Sequence, residues 1–86
     1  MSKCDKLLKK AQNSPNNFRF EDICYLAECY GFEFKGQRGS HRQYKRPGHD
    51  ELMNFQSVHS KAKPNEVKQL LNAIEELARS DEEGEK

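Results

Sequence analysis

The chain has 86 residues, of which 34% are apolar, with 15 Lys and Arg against 14 Asp and Glu and a formal net charge of +1. That length allows one domain, and a core this thin cannot enclose a large cofactor cavity. No apolar run approaches the ~20 residues of a membrane-spanning helix, and the N-terminus lacks the apolar stretch of a secretory signal.

From the N-terminus, residues 3–13 read as a short helix carrying Leu7, Leu8 and Ala11. Ser2 followed by Asp5 fits a capping box at its start. Asn13-Ser14-Pro15-Asn16-Asn17 breaks the pattern. A second helix is predicted from Phe20 to Tyr30, with Ile23, Leu26, Ala27 and Tyr30 at helical spacing. Glu21 and Asp22 lie in its first turn, where acids favour the helix dipole. Gly31 suits the left-handed position just past its end.

Three short extended segments follow. Phe32–Lys35 alternates apolar and polar residues, and Gln37–Ser40 is a turn. A second strand covers His41–Arg46. Period-two geometry sets His41, Gln43 and Lys45 on one face and Arg42, Tyr44 and Arg46 on the other. Tyr44 is expected in the core, opposite His41, with Phe32 or Phe34 and Ile74. Pro47–Asp50 is a second turn, and Leu52–Ser57 a third strand with Met53 and Phe55 on one face. Connections this short imply an antiparallel meander. A last helix starts near Pro64, a good first-turn residue, with Val67, Leu70, Leu71, Ile74 and Leu77 as its buried stripe. The reading is an α+β domain over residues 1–79, ordered α-α-β-β-β-α, with helices on one sheet face. Residues 80–86 form an acidic tail, expected to be disordered.

The net charge hides a local excess. Lys35–Arg46 holds five cations and no acid, which suits phosphate contact. Gly39 can take a positive φ and bring backbone close to a ligand. Ser40 can donate to a phosphate oxygen, and His41 can exchange a proton near neutral pH. RNA supplies its own nucleophile, the 2′-hydroxyl, so a nuclease there needs proton transfer and charge stabilisation without a metal. The bland alternative is a solvated hairpin with a chance histidine. Lys61 and Lys63 precede the last helix, whose free N–H groups favour anions; alone, they are ordinary loop cations. The sheet face away from the helices is thus the expected RNA surface, with Lys35, Arg38, Gly39, Ser40, Arg42, Lys45, Arg46, Lys61 and Lys63 as contacts and His41 as the catalytic group.

Cys4, Cys24 and Cys29 make an odd count with no paired spacing. That argues against a disulfide framework or a zinc knuckle and predicts reduced thiols packed as small apolar groups. With no signal segment, this points to a cytoplasmic protein. The three histidines have no metal-ligand spacing, and no nucleotide-binding loop is present.

Several short pieces carry a family resemblance: Phe20-Glu21-Asp22-Ile23-Cys24, Tyr30-Gly31-Phe32, Gly39-Ser40-His41 with Tyr44 three residues on, Asn54-Phe55-Gln56, Lys61-Ala62-Lys63-Pro64 and Val67-Lys68-Gln69-Leu70-Leu71. In this order the chain resembles HicA-type mRNA interferase toxins over roughly Phe20 to Leu77. The resemblance implies a fold like the double-stranded RNA-binding domain, cofactor-free and metal-independent cleavage of messenger RNA, catalysis by His41, and a HicB-type antitoxin partner. Many members carry two consecutive histidines after Gly-Ser, whereas this chain has Arg42 second. A non-catalytic double-stranded RNA-binding module shares the strand–helix order, and an interaction protein with a docking sheet face is a third reading.

Overall fold

In the computed structural model, which describes residues 2–49 and 52–84 with side chains through 78, the N-terminal helix α1 spans Lys3–Asn13. The Ser2 hydroxyl accepts the Asp5 N–H at 3.2 Å, satisfying one of the free first-turn donors. Leu7 and Ala11 are buried. A single 3-10 turn, Pro15–Asn17, then leads through the fully buried Phe18 into α2, Phe20–Cys29.

The end of α2 follows from Gly31. At φ +89° it takes the left-handed conformation, so the Phe32 N–H reaches the Ala27 carbonyl and the Gly31 N–H the Glu28 carbonyl, both at 3.1 Å. This is the paired pattern of a Schellman cap. Arg46 lies across the same helix end: its Nε–H donates to the Tyr30 carbonyl at 2.9 Å. A cation there also complements the negative end of the helix dipole.

The sheet has four antiparallel strands in the order β1 (Glu33–Arg38), β2 (His41–Lys45), β3 (Met53–Val58) and β4 (Lys61–Ala62). The expected meander of three is therefore extended by a two-residue strand. The β1–β2 turn is Gly39-Ser40, with Gly39 at φ +57°, the position glycine takes in a type II′ hairpin. The β2–β3 connection turns at Arg46-Pro47-Gly48-His49. The His49 N–H meets the Arg46 carbonyl at 2.9 Å, and Gly48 has φ +85°, matching a type II turn. His59 and Ser60 join β3 to β4 with φ 52° and 66°, the two positive values of a type I′ turn. Segment 18–20 borders β4: the Ala62 N–H bonds the Phe18 carbonyl at 2.9 Å and the Phe20 N–H the Ser60 carbonyl at 3.0 Å.

Tyr44 on β2 faces Met53 on β3, and Arg42 faces Phe55. Tyr44 is 2% exposed, and Met53 and Phe55 are fully buried. This face carries the helices, as expected. Of the two phenylalanines expected beside Tyr44, Phe32 is buried, whereas Phe34 is 52% exposed and meets the Tyr44 ring edge-on. The helix α3 spans Pro64–Gly84, its backbone running on through the acidic residues that follow Ala78. Glu85 and Lys86 lie outside the described residues. Val67, Leu70 and Ile74 are buried, and Leu71 and Leu77 pack against them. α1 packs on α2 and α3.

The cysteine expectation is corrected for two of the three residues. Cys4 and Cys29 form a disulfide joining α1 to the end of α2. An odd count and wide spacing carry no information about two helix positions that the fold brings together. The argument from cysteine usage to a reducing compartment therefore lapses. Next to the bridge, the Lys3 ammonium sits 4.4 Å from the Tyr25 ring centre. Cys24 remains a buried thiol.

Closing a loop of 25 residues restricts the unfolded chain by about 3 to 4 kcal/mol. Reduction, or paired Cys4→Ser and Cys29→Ser replacement, should lower the urea midpoint accordingly. An unchanged midpoint would show that Leu7 and Ala11 hold α1 without the bridge.

Burial pushes the Cys24 thiol above its ordinary value of 9.0, with the Tyr44 and Arg42 contacts pulling it partly back. Burial, then the Cys24 contact, pushes the Tyr44 phenol above 10.0. The folded state thus keeps protons that the unfolded chain releases. Stability from these groups is fully present below about pH 9 and is lost as pH rises through the raised folded values. Urea midpoints measured from pH 7 to 11 should fall at the alkaline end, and the fall should be shallower for Tyr44→Phe.

Candidate nucleic-acid interface

With Tyr44 turned inward, alternation turns His41, Gln43 and Lys45 to the face away from the helices. Cross-strand neighbours share that face. Arg38, His41 and Gln56 form one row, Gly36, Gln43 and Asn54 the next, and Glu33 stands opposite Lys45. These rows are polar, with Arg38 beside His41 at one end and Lys45 at the other, and the exposed Val58 continues β3 on the same face.

His41 opens β2 at the hairpin end and is half-buried. Its Nδ1 is buried and has no hydrogen-bond partner. No carboxylate among the described residues orients the ring. Gly39 and Ser40 are exposed beside it, and the Ser40 carbonyl accepts the Ser57 N–H at 2.9 Å. Arg38, also exposed, brings a guanidinium to the same row.

The basic segment does not form one patch. Arg42 and Arg46 belong to the helix side, which corrects their expected place on the open face. The Arg42 guanidinium lies 5.2 Å from the Phe20 ring centre, and its Nη1 is 3.9 Å from the Cys24 sulfur. Arg46 holds the end of α2. The reason is the same alternation that buries Tyr44 between them. Lys35 occupies the irregularity between Phe34 and Gly36 in β1 and pairs with Glu33 at 3.3 Å. Both partners are exposed, so the pair adds little stability.

Lys61 is exposed on β4, on the far side of β3 from His41, and Lys63 is half-buried. The Lys63 carbonyl accepts the Val67 N–H at 3.0 Å and so starts α3. Sequence reasoning missed Glu66. β4 ends at Ala62, one residue short of facing Gln56, and the Glu66 carboxylate takes the Gln56 N–H at 2.8 Å instead. An acid at this first turn competes with any phosphate for the positive end of α3. Its place three residues into the helix was the only signal available. Among the described residues, no group of three or more His, Cys, Asp or Glu side chains gathers as a metal site.

A family model described as the HicA toxin of bacterial toxin–antitoxin systems matches residues 20–78. The chain belongs to the HicA toxin family. Neither curated proteins nor solved structures give a match. Family membership agrees with the resemblance carried by Gly39-Ser40-His41 and implies an antitoxin partner. The matched stretch begins with α2 and contains the whole sheet, so the family's shared part includes the open face. α1 lies outside it.

The two faces of β2 give opposite mutational signatures. Arg38→Ala should leave the urea midpoint within about 0.5 kcal/mol of wild type and weaken RNA binding. Arg42→Ala should mainly destabilise, by about 1–3 kcal/mol, through lost stacking and an unsatisfied contact. Equal effects of both on RNA affinity, measured by filter binding, would place Arg42 in the interface after all.

Proposed function

We propose that this HicA-family protein is an endoribonuclease toxin that cleaves messenger RNA in the cytoplasm with His41 as its proton-transfer group. The observation that carries the reading is a half-buried histidine on the open sheet face, beside the Gly39-Ser40 turn and in one row with Arg38. Cysteine nucleophilic chemistry is disfavoured, because Cys24 is buried and its thiol is held neutral at physiological pH.

The substrate supplies the attacking oxygen. The 2′-hydroxyl adds to the adjacent phosphorus as His41 takes its proton. The P–O5′ bond then breaks, and the proton passes to the departing 5′-oxygen. The products are a 2′,3′-cyclic phosphate and a 5′-hydroxyl, with 3′-phosphate formed on later hydrolysis. In this scheme Arg38, Ser40 and the turn N–H groups stabilise charge on the phosphorane, which builds only in the transition state. No cofactor is required by this scheme. A HicB-type antitoxin is the expected partner, and the polar open face is the surface whose covering would stop cleavage. Lys45, Lys61 and Lys63 add phosphate contacts around it.

The test is cleavage of messenger RNA by purified wild-type and His41→Ala proteins. Loss of a general acid–base group lowers the rate about 10²–10⁴-fold, while His41→Ala should stay folded and bind RNA almost normally. EDTA should leave wild-type cleavage unchanged. Undiminished cleavage by His41→Ala, or a requirement for a divalent ion, would overturn the mechanism. RNA binding without cleavage by the wild type would favour the non-catalytic double-stranded RNA-binding module.

A further inference from the structure

Beyond the far end of β2 from His41 lies a second feature that the cleavage chemistry leaves unused. A cavity of about 310 Å³ is lined by Lys35, Lys45, Arg46, Pro47, Gly48 and His49. Among the described residues its walls hold three cations, a histidine and no acid. Arg46 is fixed in place, because its Nε–H is committed to the Tyr30 carbonyl. This leaves its terminal nitrogens for a ligand. His49 is positioned by the type II turn and by an edge-on contact with Phe32, ring centres 5.8 Å apart. Its Nδ1 is buried with no partner. Glu33 competes for Lys35 and stands opposite Lys45, but it does not line the cavity.

We propose that this corner binds a backbone phosphate of the same RNA strand, a few nucleotides from the phosphate at His41. The proposal rests on the nuclease reading. The five residues of β2 separate the two ends by about 13 Å at ~3.3 Å per residue. Between them run Gln43 and Asn54, uncharged amides that can hydrogen-bond sugar and base edges. An extended strand lying along β2 would meet a cation, a row of amides and a second cationic pocket in turn. An acidic peptide would leave those amides without a role, so the observations favour RNA.

The test measures affinity against length for mixed-sequence RNA oligonucleotides of two, four and eight nucleotides. It uses the folded His41→Ala protein so that binding is not confused with cleavage. Affinity should rise in a step once the strand is long enough to reach the corner. Adding Lys45→Ala should weaken binding of the longest strand about tenfold and reduce its salt dependence by about one phosphate contact, flattening the step. The His49 ring resonances should move with the long strand and not with the dinucleotide. Cleavage of the octanucleotide by wild type together with a step untouched by Lys45→Ala would overturn the subsite alone. No cleavage by wild type would overturn the nuclease reading and the subsite with it. Loss of binding to a glutamate-rich peptide, with RNA binding intact, would assign the corner to an acidic protein and overturn the proposal.

Discussion

The burial of Tyr44 fixes the rest of this molecule. Its ring packs beside Phe55, with centres 5.7 Å apart, and faces Met53 across the β2–β3 ladder. A slip of one residue in that ladder would turn Tyr44 outward and bring His41 and Lys45 under the helices. Burying such polar groups without partners costs several kcal/mol, so the register has no close competitor. His41 is turned to the open face because a neighbour three residues away cannot be. The chemistry of the open face and the stability of the core are two consequences of one pairing.

The sheet also has to end. β1 is an edge strand with exposed charges and an irregularity at Lys35, features that discourage pairing with another chain. The opposite edge is closed differently. β4 is only two residues long, and segment 18–20 covers it. Where β4 gives out, Glu66 supplies the missing acceptor for the Gln56 N–H. That bond ties the first turn of α3 to the residue paired with His41. α3 thus supports the histidine row directly, and its first turn carries an acid where a phosphate-gripping module would present only cations.

Much of this was legible in the residues. The helices, their stripes, Gly31 as a cap and the inward Tyr44 all followed from periodicity and turn chemistry. β4 was not legible, because its turn is made by His59 and Ser60 at positive φ, where glycine or asparagine is the usual signal. The pairing of Cys4 with Cys29 was hidden because it depends on how α1 docks, and helix–helix placement leaves no local trace. The misplacement of Arg42 and Arg46 has another origin. Alternation already set them on Tyr44's face, and treating the basic run as a single patch overrode it. A charge cluster along a strand is two half-clusters on opposite faces, which come together only past the strand's end, where Lys45 and Arg46 line one cavity.

The same point bears on Arg42 standing where many family members have a second histidine. The side chain at position 42 leaves β2 toward Phe20 and Cys24, on the opposite face from His41. A group there cannot reach a phosphate lying against the open face without breaking the ladder. Its identity therefore acts on the packing of α2 against the sheet. Arg42 meets that demand by laying its guanidinium over the Phe20 ring, an arrangement a planar cation tolerates at a half-buried site. In the proposed cleavage, His41 is the one proton-transfer group of its row, and Arg38 supplies charge. RNA makes this sufficient, since the 2′-hydroxyl is already held next to the phosphorus it attacks. What the protein must add is one movable proton and fixed positive charge, and the row of Arg38 and His41 beside Ser40 contains both.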